Sequence, residues 1–261
     1  MKNKMIHILT ILTIAVLCMS FPEYMLGQGR IKRQSHSSNN NNGKVTNRTN
    51  DTQDLSAKYN WDEYGICQDQ IVDLGLSVKW AGWNVGASSP EQEGTLFGWG
   101  DPTGKETSTD ESKYPKKEPP MNICGDTHYD MATVNWGMPW RLPTKKEFDE
   151  LIKECRWEGI IYKGIKGNRI IGPNGNAVFF PVTTHRTPIW DPQNQSFSSN
   201  GVVVSSDNMG YYYLGEIDVR MKTDDWTNLA FVGSSFYGSE SGSILSYPRS
   251  CGYAVRAVYA Q

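Results

Sequence analysis

Apolar and polar positions divide the chain into three stretches. Residues 5–21 are almost continuously apolar, with His7 the main strongly polar interruption, and they follow the basic start Met1-Lys2-Asn3-Lys4. Residues 30–58 are nearly all polar, include the run Asn39 to Asn42, and offer only Ile31, Val45, Leu55 and Ala57 as apolar surface. From Tyr59 onward apolar residues return at regular spacings. Ile71, Val72, Leu74, Leu76, Val78, Trp80 and Val85 alternate in part and are broken by Gly75, Gly82 and Gly86, which predicts two short strands or one bent strand. The clearest helix follows Thr144, a good N-cap with Glu147 placed for a capping box. Phe148, Leu151, Ile152 and Cys155 then mark one apolar face.

Beyond Trp157 the spacing becomes that of strands. Gly159 to Gly164 is one strand candidate; residues 168–171 and 177–182 then flank Gly172-Pro173-Asn174-Gly175, and the Asn-Gly pair predicts a hairpin turn with positive φ angles. Residues 103–118 are expected to be a surface loop and residues 185–208 irregular. Residues 210–219, 228–232 and 252–259 are the later strand candidates. One helix among many short strands and long loops predicts an α+β domain.

The first stretch reads as a secretory signal, residues 1–29, cleaved between Ser20 and Gly29. Its apolar run is short of the about 20 residues that a span requires, so no membrane span is expected after cleavage. Cys18 raises lipidation as another possibility, but Leu17 stands where a small residue is wanted. Residues 30–58 lack the apolar surface to offset their ordering entropy and are expected to be a disordered tether. The globular domain is then 59–261. The protein is expected to be exported to the periplasm, the cell surface or the medium.

Formal net charge is −2 with no clustered basic face, which argues against nucleic acid as a partner. After cleavage four cysteines remain, Cys67, Cys124, Cys155 and Cys251, without the Cys-x-x-Cys or Cys/His spacing of a metal site. In an oxidising compartment they predict two disulfides. Four cysteines allow three connectivities. Cys155 on the apolar helix face and Cys251 just before the closing strand favour Cys155–Cys251, which leaves Cys67–Cys124.

No nucleophile elbow, zinc-protease helix, phosphate loop or dinucleotide fingerprint occurs. His128 and His185, the only histidines of the domain, could serve a cysteine nucleophile, but disulfides account for the cysteines better. Asp224, Asp225 and Asn228 around Trp226 are oxygen donors suited to calcium, yet two acids at a solvated strand end explain them better, and no metal or cofactor is expected. The expected ligand-binding residues are aromatic: Trp190, Tyr211, Tyr212, Trp226, Phe236, Tyr237 and Tyr247, all in the loop-rich C-terminal part.

Four ordered blocks, VDLGLSVKWAGWNVGASSPEQEGTLFGWGD (72–101), YDMATVNWGMPWRLPTKKEFDELIKECRW (129–157), GPNGNAVFFPV (172–182) and CGYAVRAV (251–258), resemble the Fibrobacter succinogenes major paralogous domain family. That resemblance implies a C-type-lectin-like fold, in which helices pack on a small twisted antiparallel sheet and long loops form a binding surface. It also supports the Cys155–Cys251 pair. Two positions depart from the family pattern: Tyr211-Tyr212-Tyr213-Leu214-Gly215 replaces a Tyr-Trp-Ser-Ser run, and Ala257 follows Arg256 where a proline is usual. The second block is also similar to formylglycine-generating enzymes, but Cys251 has no reactive partner cysteine nearby. The expected function is a binding module for a glycan or an envelope protein. The alternatives are a structural subunit of an envelope assembly and, last, an enzyme.

Overall fold

The structure is a computed structural model and describes residues 59–109, 121–199, 201–206, 208–218, 220, 226–233 and 242–260. All belong to one unit of the chain, 52–261. The expected signal, tether and most of the 103–118 loop lie outside the described residues, as do Asp224, Asp225, Phe236 and Tyr237.

Small antiparallel sheets with two helices make the fold α+β. A central sheet joins β1 (Ile71–Val72), β2 (Lys79–Ala81), β14 (Val258–Tyr259) and β3 (Trp140–Arg141) in that order. A first meander is formed by β4 (Arg156–Tyr162), β5 (Ile165–Ile171) and β6 (Ala177–Pro181), and a second by β11 (Met209–Ile217), β12 (Trp226–Gly233) and β13 (Gly242–Pro248). Two core clusters fill the spaces between them. One gathers Trp80, Phe148, Phe180 and Tyr212, and the other Phe97, Trp99, Tyr213 and Tyr253.

The helix α2 (Lys145–Glu154) begins as its sequence predicts. Thr144 accepts from the Glu147 amide at 3.2 Å, and Glu147 accepts from the Thr144 amide at 2.8 Å. Arg141 holds the same carboxylate as a two-pronged fork, at 2.9 and 2.5 Å. A second helix, α1 (Met131–Trp136), falls within the one or two helices expected, but its place was not read, since a single turn and a half gives too short a periodicity. It exists because Asp130 caps it.

Three expectations on strands are corrected. The β5–β6 turn places only Gly175 at positive φ, 86°. Asn174 instead uses its side chain, accepting from the Asn176 amide at 3.0 Å and donating to the Asp73 carbonyl at 2.9 Å. Residues 185–208, expected to be irregular, form a hairpin arm: β7 (Thr184–Thr187) pairs with β10 (Val202–Ser205), and β8 (Trp190–Asp191) with β9 (Ser196–Phe197). Polar side chains and Pro188 mask the alternation there. The closing segment forms a regular strand only at β14, although Gly252, Tyr253 and Ala254 make single bridges to Arg186, Phe97 and Tyr212.

In the structure no disulfide joins the four described cysteines. Cys155 caps the C-terminus of α2 and turns to the first core cluster together with Cys67, whereas Cys124 and Cys251 pack with the second. Each expected pair is thus divided between the two clusters. Burial pushes the thiols of Cys67, Cys124 and Cys155 up to about 12, so they stay protonated. Among the described residues no helix is long and apolar enough to cross a membrane.

Candidate aromatic binding face

β11 carries three tyrosines in succession, and strand geometry sends alternate side chains to opposite faces. Tyr212 enters the core, 1% exposed, with its hydroxyl donating to the Pro181 carbonyl at 2.6 Å. It offers no surface to a ligand, which corrects its place among the expected site residues. Tyr211 and Tyr213 turn the other way and meet Tyr253.

Tyr253 is the hub of this face. Its backbone is fixed by exchange with Phe97, whose amide donates to Tyr253 at 2.9 Å and whose carbonyl accepts at 2.9 Å. Four rings surround it: Tyr213 edge-on at 5.0 Å, Tyr247 edge-on at 6.2 Å, Tyr211 tilted at 5.9 Å and His185 stacked at 6.1 Å. His185 and Tyr211 also touch at 4.6 Å. Tyr253 and Tyr213 are buried, but His185, Tyr211 and Tyr247 are each partly exposed. The result is a shallow surface of three rings on a rigid aromatic floor. Such rings give large contact area with few rotors to immobilise.

Electrostatically the face is neutral. Burial lowers the His185 pKa, so the imidazole is uncharged near neutrality, and its buried Nδ1 has no hydrogen-bond partner. Burial likewise raises the Tyr253 phenol well above its ordinary value. Behind the floor, the Tyr213 hydroxyl donates to the Cys251 carbonyl at 2.8 Å, and Trp99 donates to the Leu214 carbonyl at 2.9 Å beneath the Arg249 guanidinium.

Of the expected aromatic residues, the structure therefore brings together Tyr211 and Tyr247. Trp190 is partly buried on β8, in the hairpin arm. Trp226 opens β12, and Phe236 and Tyr237 lie outside the described residues. Sequence reasoning missed His185 and Tyr253 as members of the face. Strand alternation over Tyr211 to Tyr213 was the readable signal for separating Tyr212 from its neighbours.

Among the described residues no group of three or more His, Cys, Asp or Glu side chains could hold a metal ion. Asn228 lies on β12. No known protein family, curated protein or solved structure matches the chain.

Proposed function

We propose that this domain is a binding module of C-type-lectin-like fold, related to the Fibrobacter succinogenes major paralogous domain family and belonging to an exported protein, and that it recognises a glycan without catalysing a reaction. The observation that carries this reading is the set of partly exposed rings of His185, Tyr211 and Tyr247 seated on the buried ring of Tyr253. An uncharged aromatic platform suits the C–H faces of sugar rings, and its stiffness lowers the ordering cost of binding. The full chain titrated calorimetrically with a panel of neutral oligosaccharides should show binding that Tyr211→Ala and Tyr247→Ala each weaken, with thermal midpoints nearly unchanged. Binding unaffected by both substitutions, or none by any saccharide, would refute it.

A second reading, a structural subunit joined through a strand edge, is favoured by one feature. β10 pairs only with β7 among the described residues, and Val203 and Val204, which point to opposite faces, are both exposed. Sedimentation of the wild type beside Val203→Lys separates the readings, because an edge-mediated assembly should dissociate and a saccharide-binding monomer should not change.

A further inference from the structure

Three arginines are almost wholly buried, and two are well provided for. Arg256, 1% exposed, donates through Nε to Asn84 at 2.7 Å, through Nη1 to the Ala81 carbonyl at 3.0 Å and through Nη2 to the Phe179 carbonyl at 2.9 Å. Its guanidinium also lies 4.3 Å from the Phe180 ring centre. Arg249 stacks on Trp99 at 5.5 Å.

Arg186 is different. It is 5% exposed, and among the described residues it forms no ion pair and its Nε and Nη2 have no hydrogen-bond partner. Among the described residues this buried guanidinium is left without a compensating partner. Glu93 reaches the same strand, but its Oε1 accepts from the amide and hydroxyl of Thr184.

Two glycines pack closely against Arg186. Its backbone is fixed by two 2.8 Å hydrogen bonds exchanged with Gly252. A Cβ at Gly252 would fall 2.7 Å from Cζ and 2.8 Å from Nη2, and one at Gly201 would fall 2.5 Å from Cγ and 2.9 Å from Cδ. Glycine at both places is what lets the side chain lie there. Val203 stands opposite Arg186 in the β7–β10 ladder, so the two share a face, and Val203 is 61% exposed. His185, the next residue along β7, points to the opposite face and joins the aromatic cluster.

The unpartnered Nε and Nη2 form one edge of the guanidinium, the edge that matches the two oxygens of a carboxylate as a parallel pair of hydrogen bonds. We propose that Arg186 anchors a subsite for the carboxylate of an acidic saccharide, a uronate unit, entering on the Val203 side of the hairpin arm. This rests on the glycan-binding reading above but uses a different side chain on the other face of β7. A saccharide acid is favoured over an acidic peptide because the neighbouring residue of the same strand, His185, belongs to the aromatic face read above as glycan-binding.

The test titrates the full chain with a galacturonate oligosaccharide, its neutral methyl ester and oligoglutamate. The galacturonate should bind at least about tenfold more tightly than the ester, the scale expected when a buried charge gains its partner. Arg186→Met should erase that preference, and Arg186→Lys should keep part of it because the charge remains while the fork is lost. Removing an unpaired charge should leave the thermal midpoint of Arg186→Met equal to or above that of the wild type, which separates lost binding from unfolding. Equal affinity for acid and ester would overturn the subsite and leave the glycan-binding reading intact. Binding of no saccharide would overturn both. Arg186-dependent binding of oligoglutamate alone would overturn the saccharide assignment, and a large fall in the Arg186→Met midpoint would show the residue to be structural.

Discussion

Replacing Asp130 with Asn changes one atom at the point where three segments meet. Oδ1 accepts from the amides of Ala132 and Thr133 at 2.8 and 3.0 Å, and Oδ2 accepts from those of Gly125 and Leu142, both at 2.8 Å. The residue is fully buried, so water cannot replace a lost acceptor. An Asn side chain satisfies one pair of amides with its oxygen and turns its own NH₂ toward the other pair. Two hydrogen bonds to a charged acceptor, about 1.5 to 3 kcal/mol each, are then lost, giving about 3 to 6 kcal/mol. Burial pushes the Asp130 carboxyl up despite the four amides, so the charged form carries a desolvation cost that the neutral amide avoids. That places the expectation near the lower bound, about 3 kcal/mol. For a domain of this size the thermal midpoint should fall by roughly 6 to 12 °C. Circular dichroism melts of wild type, Asp130→Asn and Asp130→Ala provide the assay, with Asp130→Ala the worst because all four amides lose their acceptor. An Asp130→Asn midpoint within about 2 °C of wild type would mean that the junction is not held by these bonds.

Two further outcomes are expected. Burial alone would raise the Glu147 carboxyl, but the Arg141 fork and the Thr144 amide overcome it and hold the group below its ordinary range. Its stabilising contribution is therefore full above the unfolded carboxylate pKa and is lost as pH falls through the folded one. The difference in midpoint between wild type and Glu147→Gln should shrink as pH is lowered from about 6 to about 3, and a difference independent of pH would contradict this. The thiols of Cys67, Cys124 and Cys155, held protonated by burial, should resist alkylation in the folded protein and react once it is denatured. Mass spectrometry of the two states checks this, and rapid labelling of the native chain would refute it.

How far the fold was legible depended on whether each signal was local. The Thr144–Glu147 capping box names its own partners within one turn, and α2 formed where expected. The β5–β6 hairpin was equally readable, although Asn174 contributes through its side chain and not through its backbone angle. Residues 184–205 were not, because an arm with exposed polar and apolar positions on both faces carries no alternation to follow. The site divided in the same way. Alternation in β11 separates Tyr212 from Tyr211 and Tyr213, but no local pattern shows that Tyr253, forty residues further on, lies beneath them. Nor could the cysteines be paired from helix faces alone, since Cys155 and Cys251 pack into different parts of the core.

The closing segment touches nearly every part of the domain. Gly252 bonds to β7, Tyr253 to Phe97, and Ala254 accepts from Tyr213 and donates to Tyr211. The Val255 carbonyl accepts from Val85, the Ala257 carbonyl accepts from Ala81, and Val258 lies between β2 and β3. Seven residues thus act as a drawstring for partners that are far apart in sequence. Contacts of such long range must overcome the closure entropy of the whole chain before they are rewarded. On the ribosome the drawstring emerges after everything it gathers. Until then β2, β3, β7 and β11 lack their common neighbour. Closure of these strands accordingly waits on residues 252–258, and its pace is expected to be that of a late docking event.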